Sequence, residues 1–416
     1  MRKFLSVTVF SGLLAVVKMG AGFLIAKVVA IYTGPAGIAM LGQLQSFTNM
    51  LTGLAGSPVG NGVVRYTAEN YQEGYQKCQP WWSAGIQCVI VITSIIIPVL
   101  LLLSHNLSKW LFGSDAYTYV IIITALMLPF STLGTLCNSI INGQQNYKRY
   151  IALGAISVVI STIVMILFVY YGNLRGALLA LSIQNGCIGL ILLASSIRQE
   201  WFKFLTITRK VNRERIKDIS NYVVIAIVTA LGLPLALIGV RKILVAYVGW
   251  DGTGEWQAVW KISEAYLAVL SIALSTYFLP KLSTLKNSVE IQKEVFSTLK
   301  IVFPVALFLA ICVFIFKDLA LKILFTESFY KARELFLVQL IGDIVKICSW
   351  VLAFPMLSRG KTNWLISTEV IFSLSLVIFT WLFVMKFGVH GANYAFLLNY
   401  SIYFITMVIG LPRFTR

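Results

Sequence analysis

From Trp81 to Leu103 the chain reads WWSAGIQCVIVITSIIIPVLLLL, an uncharged run long enough to cross a bilayer. Similar runs follow one another along the whole sequence, separated by short polar turns. This pattern, more than any motif, restricts what the chain can fold into. Hydrophobic residues make up 58% of the chain and charged residues 12%, and the mean hydropathy of +0.83 is far above that of a soluble domain. An all-α integral membrane protein is expected. Its 46.3 kDa accommodates roughly a dozen spans of about 20 residues, with nothing left for a separate soluble domain.

Apolar runs set against turn signals predict twelve helices, near 4–31, 37–64, 81–103, 117–142, 149–171, 174–197, 218–247, 254–279, 292–316, 331–357, 362–386 and 391–411. An even number puts both termini on one side. One set of alternate loops carries most of the Lys and Arg, while the other holds only Lys109, Arg175, Lys317, Lys322, Lys331 and Lys386. Cytoplasmic loops retain the positive excess, so both termini are expected in the cytoplasm. Arg2 and Lys3 precede an apolar run without a small-residue cleavage site, which reads as a retained first helix.

The net charge of +18 and pI of about 9.7 do not point to nucleic acid, because the basic residues lie between apolar runs instead of forming a basic face. That placement suits anionic membrane surfaces. Six cysteines are dispersed without a C-x-x-C pair and mostly sit in apolar segments, so neither a disulfide scaffold nor a metal site is indicated. There is no P-loop, no G-x-G-x-x-G and no H-E-x-x-H. His105 and His390 accompany no nucleophile or ligand set, and neither a cofactor nor catalysis is expected.

Part of the sequence occurs twice. Lys27, Tyr32, Gly34 and Gly37 form K-x4-Y-x-G-x-x-G, and Lys242, Tyr247, Gly249 and Gly252 form it again 215 residues later (242 − 27). Gly176-Ala177 and Gly391-Ala392 share that offset. Trp110-Leu111-Phe112 pairs with Ile323-Leu324-Phe325 at 213, and Gly143-x-x-Asn146-Tyr147 with Gly360-x-x-Asn363-Trp364 at 217. The chain thus divides into an N-terminal six-helix lobe (1–200), a basic cytoplasmic linker (201–217) whose Trp201, Phe202 and Phe204 can lie in the membrane interface, and a C-terminal six-helix lobe (218–416). Six spans per repeat give the lobes a parallel orientation, the arrangement of transporters that bind substrate between halves.

Charges inside the spans are costly and usually face a cavity or a partner. Here the surplus is cationic, which suits an anion. Lys18 lies near the middle of helix 1 with no carboxylate beside it, and either binds substrate or pairs with Asp343 or Glu369. Lys27 and Lys242 can bind or can anchor at the interface by snorkelling. Arg241 adjoins Lys242. Helix 8 carries Trp256, Trp260 and Glu264 on one face, where rings beside polar groups suit sugars, although Lys261 and Glu264 can neutralise each other. Gln339, Asp343, Lys346 and Trp350 share a face of helix 10, with Asp343 and Lys346 spaced as an ion pair and Asp343 a candidate for ion or proton coupling, as are Glu264 and Glu369. Gln45 and Asn49 sit in a stripe of small and polar residues on helix 2, which reads as close packing or as a wet path. Pro58 should interrupt that helix.

The opening KMGAGFLIAKVVAIYTGPAGIAMLGQ and the segments RKILVAYVGWDGTGEWQ, ISEAYL and LPKLS resemble the Wzx polysaccharide flippases, including the O-antigen and lipid III translocases of the multidrug/oligosaccharidyl-lipid/polysaccharide exporter superfamily. The resemblance implies a V-shaped bundle of two six-helix lobes in the bacterial inner membrane. It also implies alternating access that carries an undecaprenyl-pyrophosphate-linked oligosaccharide from the cytoplasmic to the periplasmic face, with membrane lipid and other polysaccharide-assembly membrane proteins as partners. Combined with the residues above, Lys18, Lys27, Arg241, Lys242, Lys261 and Lys346 become candidates for the pyrophosphate. Gln45, Asn49, Trp256 and Trp260 become candidates for facing the glycan. Two alternatives stand beside this reading: a drug or cation exporter of the same superfamily, and a membrane-embedded glycan polymerase or ligase.

Overall fold

The computed structural model describes residues 2–205 and 213–415, with side chains described for Gly12, 14–205 and 226–415. The middle of the expected linker, including Arg209 and Lys210, lies outside the described residues. Among the described residues the regular structure is helical throughout, and nine helical stretches are long and apolar enough to span a membrane. The long helices are α1 (Arg2–Gly56), α2 (Tyr75–Leu102), α3 (Thr118–Gly143), α4 (Tyr147–Ser196), α5 (Arg213–Ala273), α6 (Ser288–Ile315), α7 (Phe336–Ser358), α8 (Thr362–Phe387) and α9 (His390–Phe414).

Three of them are too long for one crossing. Helices of 55, 50 and 61 residues would run over about 70 Å, more than twice the roughly 30 Å hydrocarbon core. Each is interrupted by one residue with non-helical backbone: Gly34 (φ 64, ψ −165) in α1, Asn173 (φ 47, ψ −129) in α4 and Gly249 (φ 72, ψ −179) in α5. The breaks fall at the expected helix boundaries. At Asn173 the chain doubles back, because a Cβ on Gly176 would lie 1.8 Å from the Phe168 carbonyl oxygen, whereas eight residues of continuous helix span about 12 Å. Between α8 and α9 the same hairpin recurs at Gly388 (φ 56, ψ −137), and a Cβ on Gly391 would lie 2.4 Å from the Phe383 carbonyl carbon.

These corners show the repeat in the backbone. The left-handed residues pair as Gly34 with Gly249, Gln145 with Gly360 and Asn173 with Gly388, and 249 − 34, 360 − 145 and 388 − 173 all equal 215. Phe168 and Gly176 map onto Phe383 and Gly391 at the same offset. The offset of 217 for the loop before α4 and α8 is therefore corrected to 215. Asn146 (φ −83, ψ 66) and Lys361 (φ −76, ψ 61) hold equivalent positions. Gly143 and Gly360 are alike only in being glycine. A Cβ on Gly143 would lie 2.6 Å from Thr67 Cβ, so no side chain fits there, whereas Gly360 takes φ +63.

The chain packs as two units, one formed by Met1–Tyr32 with Gln43–Pro234 and the other by Thr33–Gly42 with Leu235–Arg416. In the first, Trp82, Cys78, Ile140 and Val63 form a buried core, and the Trp82 indole donates to Thr67 Oγ1 at 2.8 Å. Trp201 belongs to this core and not to the membrane interface: it is 2% exposed, with its ring edge-on to Trp82 at 6.1 Å. A large ring next to an apolar pocket gains more from burial there than at a surface. Pro58 interrupts the helix as expected, since α1 ends at Gly56 and a 3-10 turn over Ser57–Val59 precedes the short helix Asn61–Asn70. In the second unit, Phe278, Leu282, Ile291, Val295, Val351 and Phe414 anchor the core, and a π-helical turn, Leu274–Phe278, continues α5. Ile371, Leu374 and Ile378 of α8 are more than half exposed, an apolar exterior that suits lipid.

Asn173 pays the steric cost of a left-handed conformation that Gly388 avoids. Asn173→Gly is expected to raise stability by about 1 kcal/mol and Gly388→Asn to lower it by a similar amount, read from thermal unfolding of the purified protein. Gly176→Ala and Gly391→Ala place a methyl group against main-chain atoms that cannot rotate away. Each should cost about 1–3 kcal/mol, seen as a lower unfolding midpoint and lower accumulation in membranes.

Candidate functional site

The C-terminal unit gathers most of the charged residues singled out in the sequence. The face of α7 that carries Gln339, Asp343 and Lys346 points inward, with these residues 1%, 0% and 4% exposed. One Asp343 carboxylate oxygen accepts hydrogen bonds from the hydroxyls of Ser263 and of Tyr266, the latter at 2.8 Å, and the other accepts from the Gln339 amide at 3.1 Å. Gln339 in turn accepts from Asn393 Nδ2 at 2.9 Å. A buried carboxylate is tolerated when its lone pairs are met in this way.

Lys346 Nζ lies over four aromatic rings, 5.1 Å from the centroids of Trp260 and Trp350, 5.3 Å from Tyr400 and 5.5 Å from Phe396. Asp343, less than a turn away, attracts the ammonium electrostatically. Arg241 is 2% exposed. Its Nε donates to Gln257 Oε1 at 2.6 Å, and its guanidinium carbon stands 5.9 Å from the Trp256 ring centroid. Gly42 lets the start of the second helical segment of α1 approach this group, since a Cβ there would come within 2.7 Å of Gln257 Cδ and 3.1 Å of Arg241 Nε. Trp256 and Trp260 lie against each other with centroids 5.3 Å apart, so the two cation sites share a wall.

Glu264 is exposed and attracts both Arg241 and the half-buried Lys261. Its negative charge therefore bears on two cations rather than on Lys261 alone. Lys242 and Glu369 are half-buried. Trp256 and Trp260, each 2% exposed, face cations in this structure instead of an open surface. In the N-terminal unit Lys18 is exposed beside the exposed Val16 and Val17, and Lys27 is half-buried. Gln45 and Asn49 are exposed and hydrogen-bonded to each other at 2.8 Å. Farther along the same stripe, Gly53 packs so that a Cβ would lie 2.6 Å from that of Ala230, which is close helix packing. At Gly53 the stripe is thus close packing, one of the two readings that the sequence allowed.

Gln257, Ser263, Tyr266, Asn393, Phe396 and Tyr400 were not anticipated from sequence. Asn393, Phe396 and Tyr400 do share a helical face at i, i+3 and i+7, but periodicity gives no hint of the charges that this face meets.

Residues 5–286 match the family described as "Polysaccharide biosynthesis protein". The chain belongs to the polysaccharide biosynthesis protein family. Relatives include the lipid III flippases of Escherichia coli (strain K12) and Shigella flexneri, each 29% identical over 393 residues, covering 93% of this chain and 93% of theirs. Among solved structures, an inward-facing multidrug resistance MATE family transporter of the MOP superfamily superposes with a TM-score of 0.80 at 13% identity, covering 96% of this chain and 98% of its own. A MOP superfamily transporter from Pyrococcus furiosus gives 0.69 at 15%, covering 97% and 94%. The resemblance to Wzx-type flippases drawn from the sequence is borne out. This member of the polysaccharide biosynthesis family is a multi-pass membrane protein that shares the fold of the MOP superfamily transporters.

Asp343→Leu would leave the hydroxyls of Ser263 and Tyr266 and the Gln339 amide without an acceptor and Lys346 without its counter-charge. A loss of about 3–5 kcal/mol is expected. Asp343→Asn also removes the counter-charge but keeps an acceptor for the two hydroxyls, and should cost less. Unfolding midpoints of the two variants check the order.

Proposed function

We propose that this protein flips an undecaprenyl-pyrophosphate-linked oligosaccharide, an O-antigen or enterobacterial common antigen repeat unit, from the cytoplasmic to the periplasmic face of the bacterial inner membrane. The lipid III flippases among its relatives support this substrate class. The observation that carries the reading is the cationic surplus inside apolar helices, above all Arg241, buried on Gln257 and Trp256 yet neighbouring the less buried Lys242 and Lys261. A pyrophosphate concentrates negative charge in a small volume, and guanidinium and ammonium groups out of bulk water bind it strongly. In this proposal Lys18, Lys27, Arg241, Lys242 and Lys261 attract the diphosphate. Gln45 and Asn49 offer the glycan hydrogen bonds, and the polyprenyl tail stays in lipid.

The breaks at Gly34, Asn173 and Gly249 are taken as turns at the membrane faces, which makes nine helical stretches into twelve crossings. Two six-helix lobes, 1–200 and 218–416, joined by the basic linker and with both termini cytoplasmic, then work by alternating access. The drug-exporter alternative is less well supported, because Asp343 is occupied by three hydrogen-bond donors and Glu264 is drawn to two cations.

The test is the distribution of lipid-linked oligosaccharide between the two membrane faces in a deletion strain. Wild type should restore periplasmic substrate. A well-expressed Lys18→Ala, Lys27→Ala, Lys242→Ala variant should lower the translocation rate at least tenfold. Normal translocation by that variant would sink the cationic-site proposal.

A further inference from the structure

We propose that Lys346 is a tethered occupant of an aromatic site for organic ammonium ions, and that its side chain keeps free cations out of the C-terminal unit. The cage comes from three helices: Trp260 of α5, Trp350 of α7, and Phe396 and Tyr400 of α9. All four ring centroids lie within the roughly 6 Å over which a ring face attracts a cation, at 5.1 to 5.5 Å from Nζ. The ammonium is buried, with the lysine 4% exposed. The four π-faces surround the cation where water would otherwise do so.

Asp343 supplies the counter-charge from less than a turn away on α7, while its oxygens accept hydrogen bonds from Ser263, Tyr266 and Gln339. Ring faces with a nearby carboxylate are the elements by which proteins recognise alkylammonium and quaternary ammonium ligands. Here the ligand is part of the chain. Attachment to α7 gives the amine a local concentration that a dissolved cation cannot match.

The cage is confined to one repeat. The positions 215 residues before Trp260, Lys346, Trp350, Phe396 and Tyr400 are Gln45, Ser131, Thr135, Leu181 and Asn185. None of these offers a ring. The site is thus a feature of the second half and not of the duplicated scaffold, and it is independent of the identity of the translocated lipid.

Lys346→Ala removes Cγ, Cδ, Cε and Nζ, and the chain of n-propylammonium reproduces those atoms. Full-length protein in nanodiscs would be followed by intrinsic-fluorescence thermal unfolding at constant ionic strength, with n-propylammonium chloride, sodium chloride or neutral n-propanol added. The unfolding midpoint of Lys346→Ala should rise with propylammonium, saturating in the millimolar range, and should not rise with sodium or propanol. Wild type and Lys346→Met, which refills the space without charge, should not respond. An equal response of Lys346→Ala to propanol and propylammonium would reveal a mere apolar cavity and overturn the proposal, as would no response or an equal response in wild type. Should Lys346→Ala fail to fold, wild type carrying 13C at lysine Cε decides. A lysine ε-methylene resonance shifted upfield by the rings and missing from Lys346→Arg is expected, and a wild-type spectrum without such a resonance overturns the proposal.

Discussion

A charge that cannot reach water has to be solvated by the protein, and that requirement dictates what surrounds α5, α7 and α9. Asp343 is met by two hydroxyls and an amide, Lys346 by ring faces, and Arg241 by one amide oxygen and an indole. Charged groups at these depths destabilise an inserted helix by several kcal/mol when isolated. Met by partners, they fix which faces of three helices must adjoin, because the partners of α7 come from α5 and α9 as well as from α7 itself. Aromatic faces serve the cations because they attract positive charge without bringing competing polar atoms into an apolar setting.

Duplication and divergence are recorded at different levels. The backbone keeps the repeat: left-handed corners, hairpin close approaches and loop dihedrals recur at a constant offset, even where Gln145 and Asn173 stand in place of glycine. Side chains at equivalent depths do not keep it. Leu128 and Ser131 occupy the positions of Asp343 and Lys346, so the first repeat carries the corners without the cluster.

Hydropathy and turn residues made the helix boundaries legible, because a corner in a membrane protein must interrupt an apolar run and adopt a backbone that glycine favours. Gly34 and Gly249 announced themselves as a repeated motif, and the Gln339, Asp343 and Lys346 face followed from helical spacing. Neither signal reports what a face meets. Ser263, Tyr266, Asn393, Phe396 and Tyr400 read as ordinary span residues until α5, α7 and α9 are brought side by side. Trp201 misled for a related reason, since an aromatic residue among basic ones resembles an interfacial anchor, and only the pocket beside Trp82 distinguishes the two. The loop register slipped because matching glycines can have different causes, close packing at Gly143 and a left-handed backbone at Gly360.

The hairpins at Asn173 and Gly388 also carry a consequence for the order in which the molecule is made. Phe168 meets Gly176, and Phe383 meets Gly391, across eight residues, so each pair of helical arms can close soon after it emerges from the ribosome. The bonds from Ser263 and Tyr266 to Asp343 span 80 and 77 residues, and α9, which completes the ring of aromatics, is synthesised after both α5 and α7. Until then Lys346 and Asp343 reside on a helix whose partners do not yet exist. The groups that give the second half its chemistry are thus sheltered late, only once α9 has followed α7, and until then α7 is exposed to assembly errors.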